Sequence, residues 1–305
     1  AADVVVAATG RRSSVPGWLG AVGVDVPETV HRSGLMYLSR WYRLPAGLEV
    51  VIDPRLGADL GFVKYLAVPG DGGTLSVTLA VDAGDAALRA SLSDPDGFEA
   101  ACRLLPGPDR FFGGDLAPEP LGPVRPMGGL VNRLRRFVDG TGRPTVLGFH
   151  AVGDAHTCTN PLYGRGCSLA LVQAVLLADA AAAHPGDPAG RAAAYEAACA
   201  REVEPWFDVS VQMDAVGADP ARAGSAEGPG GAGRAVTALF VAAASDPVIA
   251  RGIVRFWNLL TTPAELMTDA EFVARAAAVM ADPDAYPLPP RTGPTRAELL
   301  ESLAA

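Results

Sequence analysis

The sequence predicts a mixed fold, α/β in one part and α+β in another, with a helical region at its C-terminal end. Two short, uncharged apolar segments, Val4–Ala8 and residues 146–152, each run into a glycine and are typical of buried parallel strands. Longer stretches between them are bounded by turn residues and indicate antiparallel strands: Leu35–Arg43, Leu60–Val68 and Thr74–Val81. From residue 186 onward the apolar residues recur with helical spacing.

The first strand, Val4–Ala8, ends sharply at Thr9-Gly10, and two arginines and two serines follow it. Glycine permits the tight turn that this position requires. Arg11 and Arg12 have the charge to pair with phosphate, and the alternative is that they are solvated surface side chains. The turn therefore offers one candidate binding segment, close to the start of the chain.

The second strand, residues 146–152, leads into Gly153-Asp154 and then a loop that contains Pro161, Gly164 and Gly166. A broadly apolar helix is predicted from there to residue 183. This order sets a carboxylate at a strand end and free backbone N–H groups at a helix N-terminus, the edge at which open α/β sheets bind ligands. The alternative is an ordinary strand–loop–helix unit in which Asp154 is only a turn or cap residue.

The C-terminal part is predicted to be helical, with helices at Arg191–Met213, Ala235–Ala244, Pro247–Leu260 and Asp269–Met280. The net charge of −9 and the lack of a basic cluster argue against a nucleic-acid partner. The four cysteines show no Cys-x-x-Cys spacing and the histidines no metal-binding spacing, so we expect reduced thiols, no metal and a cytoplasmic location. No signal peptide is evident, and no apolar run is judged long enough for stable insertion in a membrane.

Two ordered motifs are similar to those of a known family: Ala8-Thr-Gly-Arg-Arg-Ser13, and Gly153-Asp154 followed by Pro161 and Gly164-Arg165-Gly166. Together they resemble the FAD-dependent oxidoreductases of the class A flavin monooxygenase group, which is p-hydroxybenzoate hydroxylase-like and related to flavin halogenases and geranylgeranyl reductases. The resemblance spans about residues 1–185 and is looser beyond them. Two motifs in the right order are more specific than either alone.

The resemblance implies a partial FAD/NAD(P)-binding Rossmann-like domain joined to an antiparallel-sheet substrate domain. Residues 1–20 correspond to the tail of the FAD-binding domain, and residues 21–140 to the substrate domain. Residues 141–185 correspond to a returning FAD-binding segment that carries the Gly-Asp motif, and residues 186–305 form the C-terminal helical region. The implied cofactor is FAD, with NAD(P)H as the electron donor.

The family's binding residues transfer to matching positions of this sequence. Asp154, after Gly153, corresponds to the acidic residue that binds the ribityl chain of FAD, and Pro161 and Gly164 correspond to the residues that shape the loop beside the flavin ring. The backbone N–H groups of Gly166 and Cys167 then face the pyrimidine carbonyl of the flavin. The turn formed by Thr9, Gly10 and Arg11 corresponds to a family motif near FAD and the nicotinamide donor.

One departure from the family is the lack of a Gly-x-Gly-x-x-Gly fingerprint at the start of the chain. The glycine-rich run Gly224–Gly233 does not replace it, because the run follows no strand and contains an acidic residue and a proline. We therefore expect the chain to lack roughly 130–170 residues of nucleotide-binding fold. Unless that unit is supplied, tight binding of FAD is not expected.

Three further residues are candidates for a substrate pocket: Trp41, Tyr65 and His156. Core packing of the two aromatic residues and a plain loop position for the histidine are the alternatives. Of the halogenase pattern Trp-x-Trp-x-Ile-Pro, only Pro69 is present, which disfavours halogenation. The predicted function is a monooxygenase that acts on an apolar small molecule; the alternatives are a reductase of the geranylgeranyl reductase type and a non-catalytic small-molecule binder. The sequence does not predict an oligomeric state.

Overall fold

The computed structural model describes residues 2–48, 56–113, 116, 118–217, 231–287 and 292–304. The strands are β1 (Val5–Ala7), β2 (Glu28–Arg32), β3 (Leu35–Arg43), β4 (Gly57–Asp59), β5 (Val63–Gly70), β6 (Thr74–Asp82), β7 (Glu119–Pro120), β8 (Arg125–Met127), β9 (Val131–Arg135), β10 (Phe149–Ala151) and β11 (Thr157–Cys158). The first helices are α1 (Val15–Gly20), α2 (Ala86–Ser93), α3 (Pro95–Leu104), α4 (Asp109–Phe112), α5 (Gly166–Ala183) and α6 (Pro188–Glu202). The later helices are α7 (Glu204–Gly217), α8 (Gly231–Ala242), α9 (Pro247–Trp257), α10 (Pro263–Leu266), α11 (Ala270–Ala281) and α12 (Arg296–Ala304).

The chain forms two compact units that are each assembled from three segments. The first unit contains Ala1–Ser33, Val131–Ala215 and Leu239–Tyr286; the second contains Gly34–Leu130, Val216–Ala238 and Pro287–Ala305. These bounds differ from the predicted ones at 20, 140 and 185. Residues 21–33 join the first unit because β2 pairs with β9 over its whole length, and α12 joins the second because it packs on α2 and α3.

The first unit holds two small sheets and most of the C-terminal helices. β1 runs parallel to β10, and a separate antiparallel sheet has the strand order β11-β9-β2. Helix α5 packs against α6, and their shared core contains Leu169, Tyr195, Cys199 and Trp206. The predicted strand at 146–152 is shorter in the structure, because Gly148 adopts a left-handed conformation (φ 71°) just before β10.

The second unit is built on an antiparallel sheet of order β4-β5-β6-β3-β7, with β8 also paired to β3. The predicted strand Leu35–Arg43 is confirmed at both ends, and the two strands after it are confirmed within three residues. Helices α2, α3, α4 and α12 cover one face of this sheet through a common apolar core. The sequence-based fold class, mixed α/β with antiparallel sheets, is confirmed.

Two predictions about the helices need correction. The single helix expected at Arg191–Met213 is two helices, α6 and α7, because Pro205 lies in the first turn of the second, where its missing N–H is tolerated. Helix α5 is long and apolar enough, by length and composition, to cross a membrane, and so is the α8–α9 pair if it counts as one broken span. Such a helix is weak evidence for a span, because the core helices of soluble proteins meet the same test.

Candidate functional site

The parallel pair β1–β10 brings the two predicted motifs to one edge. Val5 lies beside Phe149 and Ala7 beside Ala151, and the N–H of Val152 donates to the carbonyl of Ala7 (3.0 Å). Because the strands are parallel, the chain leaves both of them at the same end. The turn at residues 9–11 and the segment that starts at Gly153 therefore begin side by side, as the strand order of the sequence suggested.

The first turn is closed by local hydrogen bonds. Gly10 is in the left-handed region (φ 70°), the N–H of Ser13 donates to the Gly10 carbonyl (3.1 Å), and the hydroxyl groups of Thr9 and Ser13 lie 2.5 Å apart. The carbonyl of Arg11 accepts from Nη1 of Arg133 (3.1 Å). Within the described residues, the buried Nη1 of Arg11 has no hydrogen-bond partner, so this guanidinium has a free donor at the edge of the site.

Gly153 begins a short 3₁₀ helix, Gly153–Ala155, and its position requires glycine. Its φ is 62°, and a Cβ there would lie 3.2 Å from the Cβ of Ala170 on α5. The N–H of Gly153 donates to Oε1 of Gln173, also on α5. These contacts hold the end of the strand close to α5 and fix where the next residue, Asp154, lies.

Asp154 faces the first turn of α5. Its Oδ1 lies 3.9 Å from the point at which a Cβ on Gly166 would stand. Burial raises the pKa of the Asp154 carboxyl, and the charge of Arg11 and a hydrogen bond with the Cys158 thiol oppose that rise. The carboxylate is thus partly desolvated beside a helix N-terminus, and its environment does not fully compensate the cost of its charge.

The loop before α5 is held by a half-buried acidic side chain that the sequence did not reveal. Oδ1 of Asp214 accepts from Nδ2 of Asn160 (2.8 Å) and from the hydroxyl of Tyr163 (2.6 Å), and Oδ2 accepts from Nδ2 of Asn132 (2.7 Å). Oδ1 of Asn132 in turn accepts from the backbone N–H of Asn160 (2.7 Å). This Asp214 cluster ties β9, the loop and α7 together and sets the direction in which α5 begins.

Open space surrounds the small residues of the site. Among the described residues, a Cβ on Gly10 or on Gly164 would meet no heavy atom within 4 Å, and one on Gly166 would meet only Asp154. Gly164 is left-handed (φ 66°) and follows the 3₁₀ turn Pro161–Tyr163. The room, the N–H groups at the start of α5 and the carboxylate of Asp154 fit a flat ring with a hydroxylated chain, which is the chemistry of a flavin.

Cys167, in the first turn of α5, is an exposed free thiol. The other three cysteines are free and buried, and burial raises the pKa of each thiol, that of Cys158 to about 11. Cys167 is therefore the most accessible thiol for a modifying reagent, and it lies beside the candidate site.

Two of the three predicted pocket residues, Trp41 and Tyr65, lie on opposite faces of one sheet. Tyr65 is 5% exposed and belongs to the inner face of the β5 strand, while Trp41 is 42% exposed and lies on the opposite face of the same sheet. The register excludes a pocket shared by these two rings. Trp41 lies three residues along β3 from the position aligned with Tyr65, and an odd separation puts two side chains on opposite faces of a sheet. A substrate contact by Trp41 alone stays a prediction.

His156 lies in the core of the first unit, where none of its surface is exposed. Its Nδ1 and the Thr157 hydroxyl are 2.7 Å apart, and its Nε2 lies 3.5 Å from Oε1 of Glu196. The nearby His150 is also buried and accepts from Nε of Arg191 (3.4 Å). Burial lowers the pKa of His150, and the positive charge of Arg191 adds to that effect. A substrate-pocket role for His156 stays a prediction.

No protein-family model and no curated protein matches the sequence. Solved structures do match in fold. PyrE3, described as a Diels-Alderase in the biosynthetic pathway of pyrroindomycins, superposes with a TM-score of 0.55 at 17% identity, over 84% of this chain and 50% of PyrE3. The flavin-dependent brominase Bmp2 gives 0.50 at 15% identity, over 93% of this chain and 63% of Bmp2. HpxO of Klebsiella pneumoniae, in complex with FAD and uric acid, gives a TM-score of 0.48 at 15% identity, over 94% of this chain and 61% of HpxO.

The likeness to PyrE3 and Bmp2 shows the fold. This chain shares its fold with PyrE3 and with the flavin-dependent brominase Bmp2, so the resemblance inferred from the two motifs is confirmed for the fold alone. The chain spans 50–63% of the length of these three structures.

Proposed function

We propose that this chain is an FAD-dependent oxidoreductase of the monooxygenase type, with its flavin site at the shared edge of β1 and β10. The observation that carries the proposal is the partly desolvated Asp154 carboxylate, 3.9 Å from the Cβ position of Gly166 at the start of α5. A carboxylate and a row of helix N–H groups, set beside uncrowded glycines, suit the ribityl hydroxyls and the pyrimidine edge of a flavin.

Each residue of the site has a role in this proposal. Asp154 accepts hydrogen bonds from the ribityl hydroxyls, and the backbone N–H groups of Gly166 and Cys167 face the pyrimidine carbonyl. Gly164, after Pro161, leaves room for the ring. Arg11, with Thr9 and Gly10, offers a donor to the dinucleotide. When bound, the flavin would supply the redox chemistry, with NAD(P)H as the electron donor, so that the protein's contribution is binding and electrostatics.

The residues at this edge address only the flavin half of FAD. Val5 and Val6 of β1 are exposed, as is Leu171 on α5, so apolar side chains of both elements are accessible to a ligand. Riboflavin and FMN are therefore useful probes beside FAD.

The proposed substrate is an apolar small molecule, and Trp41 is its proposed contact in the second unit. Trp41 shares the uncovered face of the sheet with Leu66 and Val68, both of which are also exposed. An apolar sheet face of this kind suits an aromatic or polyketide-like body. The proposed location is the cytoplasm.

The test begins with flavin binding. The fluorescence of riboflavin, FMN and FAD is titrated with the wild-type chain and with Asp154→Ala and Gly166→Val. We expect Asp154→Ala to weaken binding about tenfold or more, because a charged acceptor is worth ~1.5–3 kcal/mol. Gly166→Val is expected to exclude the ring by bulk. Equal affinity in all three proteins would refute the proposed site.

The reaction type is tested by NAD(P)H oxidation and oxygen uptake in the presence of FAD and candidate substrates. Uptake of oxygen that is stimulated by substrate supports a monooxygenase. NAD(P)H oxidation without oxygen uptake supports the alternative, a reductase of the geranylgeranyl reductase type. The other alternative is a non-catalytic small-molecule binder, for which neither signal appears.

A further inference from the structure

Arg165, the residue immediately before α5, has a buried guanidinium without a polar partner. It is 2% exposed, and none of its three guanidinium nitrogens has a hydrogen-bond partner in the described part of the structure. An arginine stays charged under ordinary conditions, and a buried charge without a partner costs several kcal/mol, roughly. Buried arginine side chains normally have hydrogen-bond partners, so the free N–H groups of this one are available to an anionic ligand.

Four aromatic rings surround the guanidinium. Its Cζ lies 4.8 Å from the ring centre of Trp206, 5.0 Å from Trp257, 5.1 Å from Phe256 and 5.8 Å from Tyr163. We call these four rings the aromatic cage. The rings stabilise the cation through their faces. None of the four side chains accepts a hydrogen bond from the guanidinium, so its N–H groups have no acceptor among the residues that the structure describes.

The charge also has an unfavourable sign for its place in the fold. The N-terminus of an α-helix carries a partial positive charge, which favours anions and disfavours cations. Arg165 is the N-cap residue of α5, a helix of 18 residues. The carboxylate of Asp214, which binds the cage residue Tyr163, also accepts from Asn132 and Asn160. An incoming anion would satisfy both the guanidinium and the helix end.

We propose that Arg165 binds the carboxylate of a small-molecule ligand whose aromatic or apolar body packs against the exposed Trp257 side of the cage. A planar guanidinium pairs with a carboxylate through two parallel hydrogen bonds. Trp257 is 39% exposed, whereas Trp206 and Tyr163 are buried, so the Trp257 side is the route by which a ligand enters. The inference deepens the proposed function, on which it rests for the ligand's role as substrate, by adding an anionic group to the apolar body.

The probes are benzoate and its neutral isostere benzamide, with acetate as an anion that has no ring. Binding is followed by intrinsic tryptophan fluorescence, because Trp206 and Trp257 belong to the cage. The wild-type chain is expected to bind benzoate saturably and about tenfold or more tightly than benzamide or acetate. If benzoate binds no more tightly than benzamide, the proposed recognition of a carboxylate by Arg165 is wrong. If acetate binds as tightly as benzoate, the proposed packing of the ligand's ring against the cage is wrong.

The variant is Arg165→Met, with Arg201→Met as the matched control, since Arg201 is exposed and donates to Ala197 of its own helix. We expect Arg165→Met to lose benzoate binding while its Tm stays equal or rises, because an unpaired buried charge is removed. Arg201→Met keeps the binding. Wild-type affinity in Arg165→Met contradicts the proposal.

If Arg165→Met does not fold, Arg165→Lys replaces it, because lysine keeps the charge but not the planar fork. Benzoate affinity reduced about tenfold supports the proposal, and unchanged affinity contradicts it. All these measurements are made without flavin. A chain that binds benzoate but no flavin therefore refutes the proposed function and not the Arg165 site.

Discussion

At the scale of single residues, the site has a carboxylate whose ionisation is disfavoured in the fold. The pKa of Asp154 is raised by burial, whereas that of Asp139 is lowered by hydrogen bonds from Thr141 and Arg143. Asp139 closes a surface turn and stabilises it in the ionised form. Asp154 does the opposite, and a residue kept at a cost to stability is typical of a binding site.

Asp154→Asn is expected to raise the Tm at pH 7 by up to about 2 °C. The sign follows from linkage: with a folded-state pKa above the usual 3.8, the favourable contribution of Asp154 is complete below pH 3.8 and is lost as the pH rises through the folded-state pKa. The gain should therefore disappear in acid. Asp139→Asn is the control and should lower the Tm at pH 7. Differential scanning fluorimetry across pH checks both, and a lower Tm for Asp154→Asn at pH 7 contradicts the interpretation.

The sequence predicts some of these residues and not others. Asp154, Gly164 and Gly166 are found from the order of strand end, loop and helix start, because that order is local. Asp214 is not found, since it lies in α7 with no motif around it and acts only through contacts formed on folding. Arg165 appears in the sequence motif only as the residue between Gly164 and Gly166, with no predicted role. The aromatic residues of its cage are far away in sequence.

At the scale of elements, the loop before α5 depends on the Asp214 cluster. Asp214→Ala leaves three donors without their acceptor, two of them on the fully buried Asn132 and Asn160. We expect a loss of about 2–4 kcal/mol in the free energy of unfolding, measured by urea denaturation. Asp208→Ala, at an exposed position of the same helix, is the control and should change little. Equal effects of the two variants would show that the cluster does not support the loop.

The packing of α9 on α11 depends on Gly252. A Cβ at this position would lie 2.3 Å from the ring of the buried Phe272. Gly252→Ala should therefore lower the free energy of unfolding by about 1–3 kcal/mol, because the ring has to move within a packed core. The double variant Gly252→Ala, Phe272→Leu should recover part of that loss in the same assay. A stable Gly252→Ala single variant would show that the two helices are less closely packed.

The element boundaries also show what local patterns can predict. Strand β3 is found to the residue, since its alternation matches a half-covered antiparallel sheet. The sequence predicts one helix where the structure has two, α6 and α7. The apolar spacing continues across Pro205, and a proline is compatible with the first turn of α7. Trp41 and Tyr65 lie on opposite faces of the sheet because of the register between their strands, and the pattern within one strand does not predict that register.

At the scale of the whole molecule, each unit is closed by a segment far away in sequence. In the second unit, Arg296 of α12 donates to both carboxylate oxygens of Asp85, at 2.7 Å and 2.9 Å, and this pair lowers the pKa of Asp85. Leu299, also on α12, is fully buried in the same core. The fold of this unit thus includes the C-terminal helix, which the sequence analysis assigned to a region of its own.

Arg296→Ala should lower the stability of the chain by roughly 1 kcal/mol or less, since the pair is partly exposed. Asp85 has a folded-state pKa below the usual 3.8, so its contribution is present above pH 3.8 and is lost as the pH falls through the folded-state value. The difference between wild type and variant should therefore be seen at pH 7 and vanish in acid. Thermal unfolding at both pH values tests this, and a difference that grows in acid contradicts it.

Cys167 reports directly on the proposed binding of a flavin beside the first turn of α5. The rate of maleimide modification at Cys167, located by peptide mass mapping, is measured with and without ~1 mM riboflavin, FMN or FAD, a concentration that detects weak binding. We expect flavins to slow the modification of Cys167 in the wild-type chain but not in Asp154→Ala. Modification of Cys167 at the same rate with and without every flavin would contradict it.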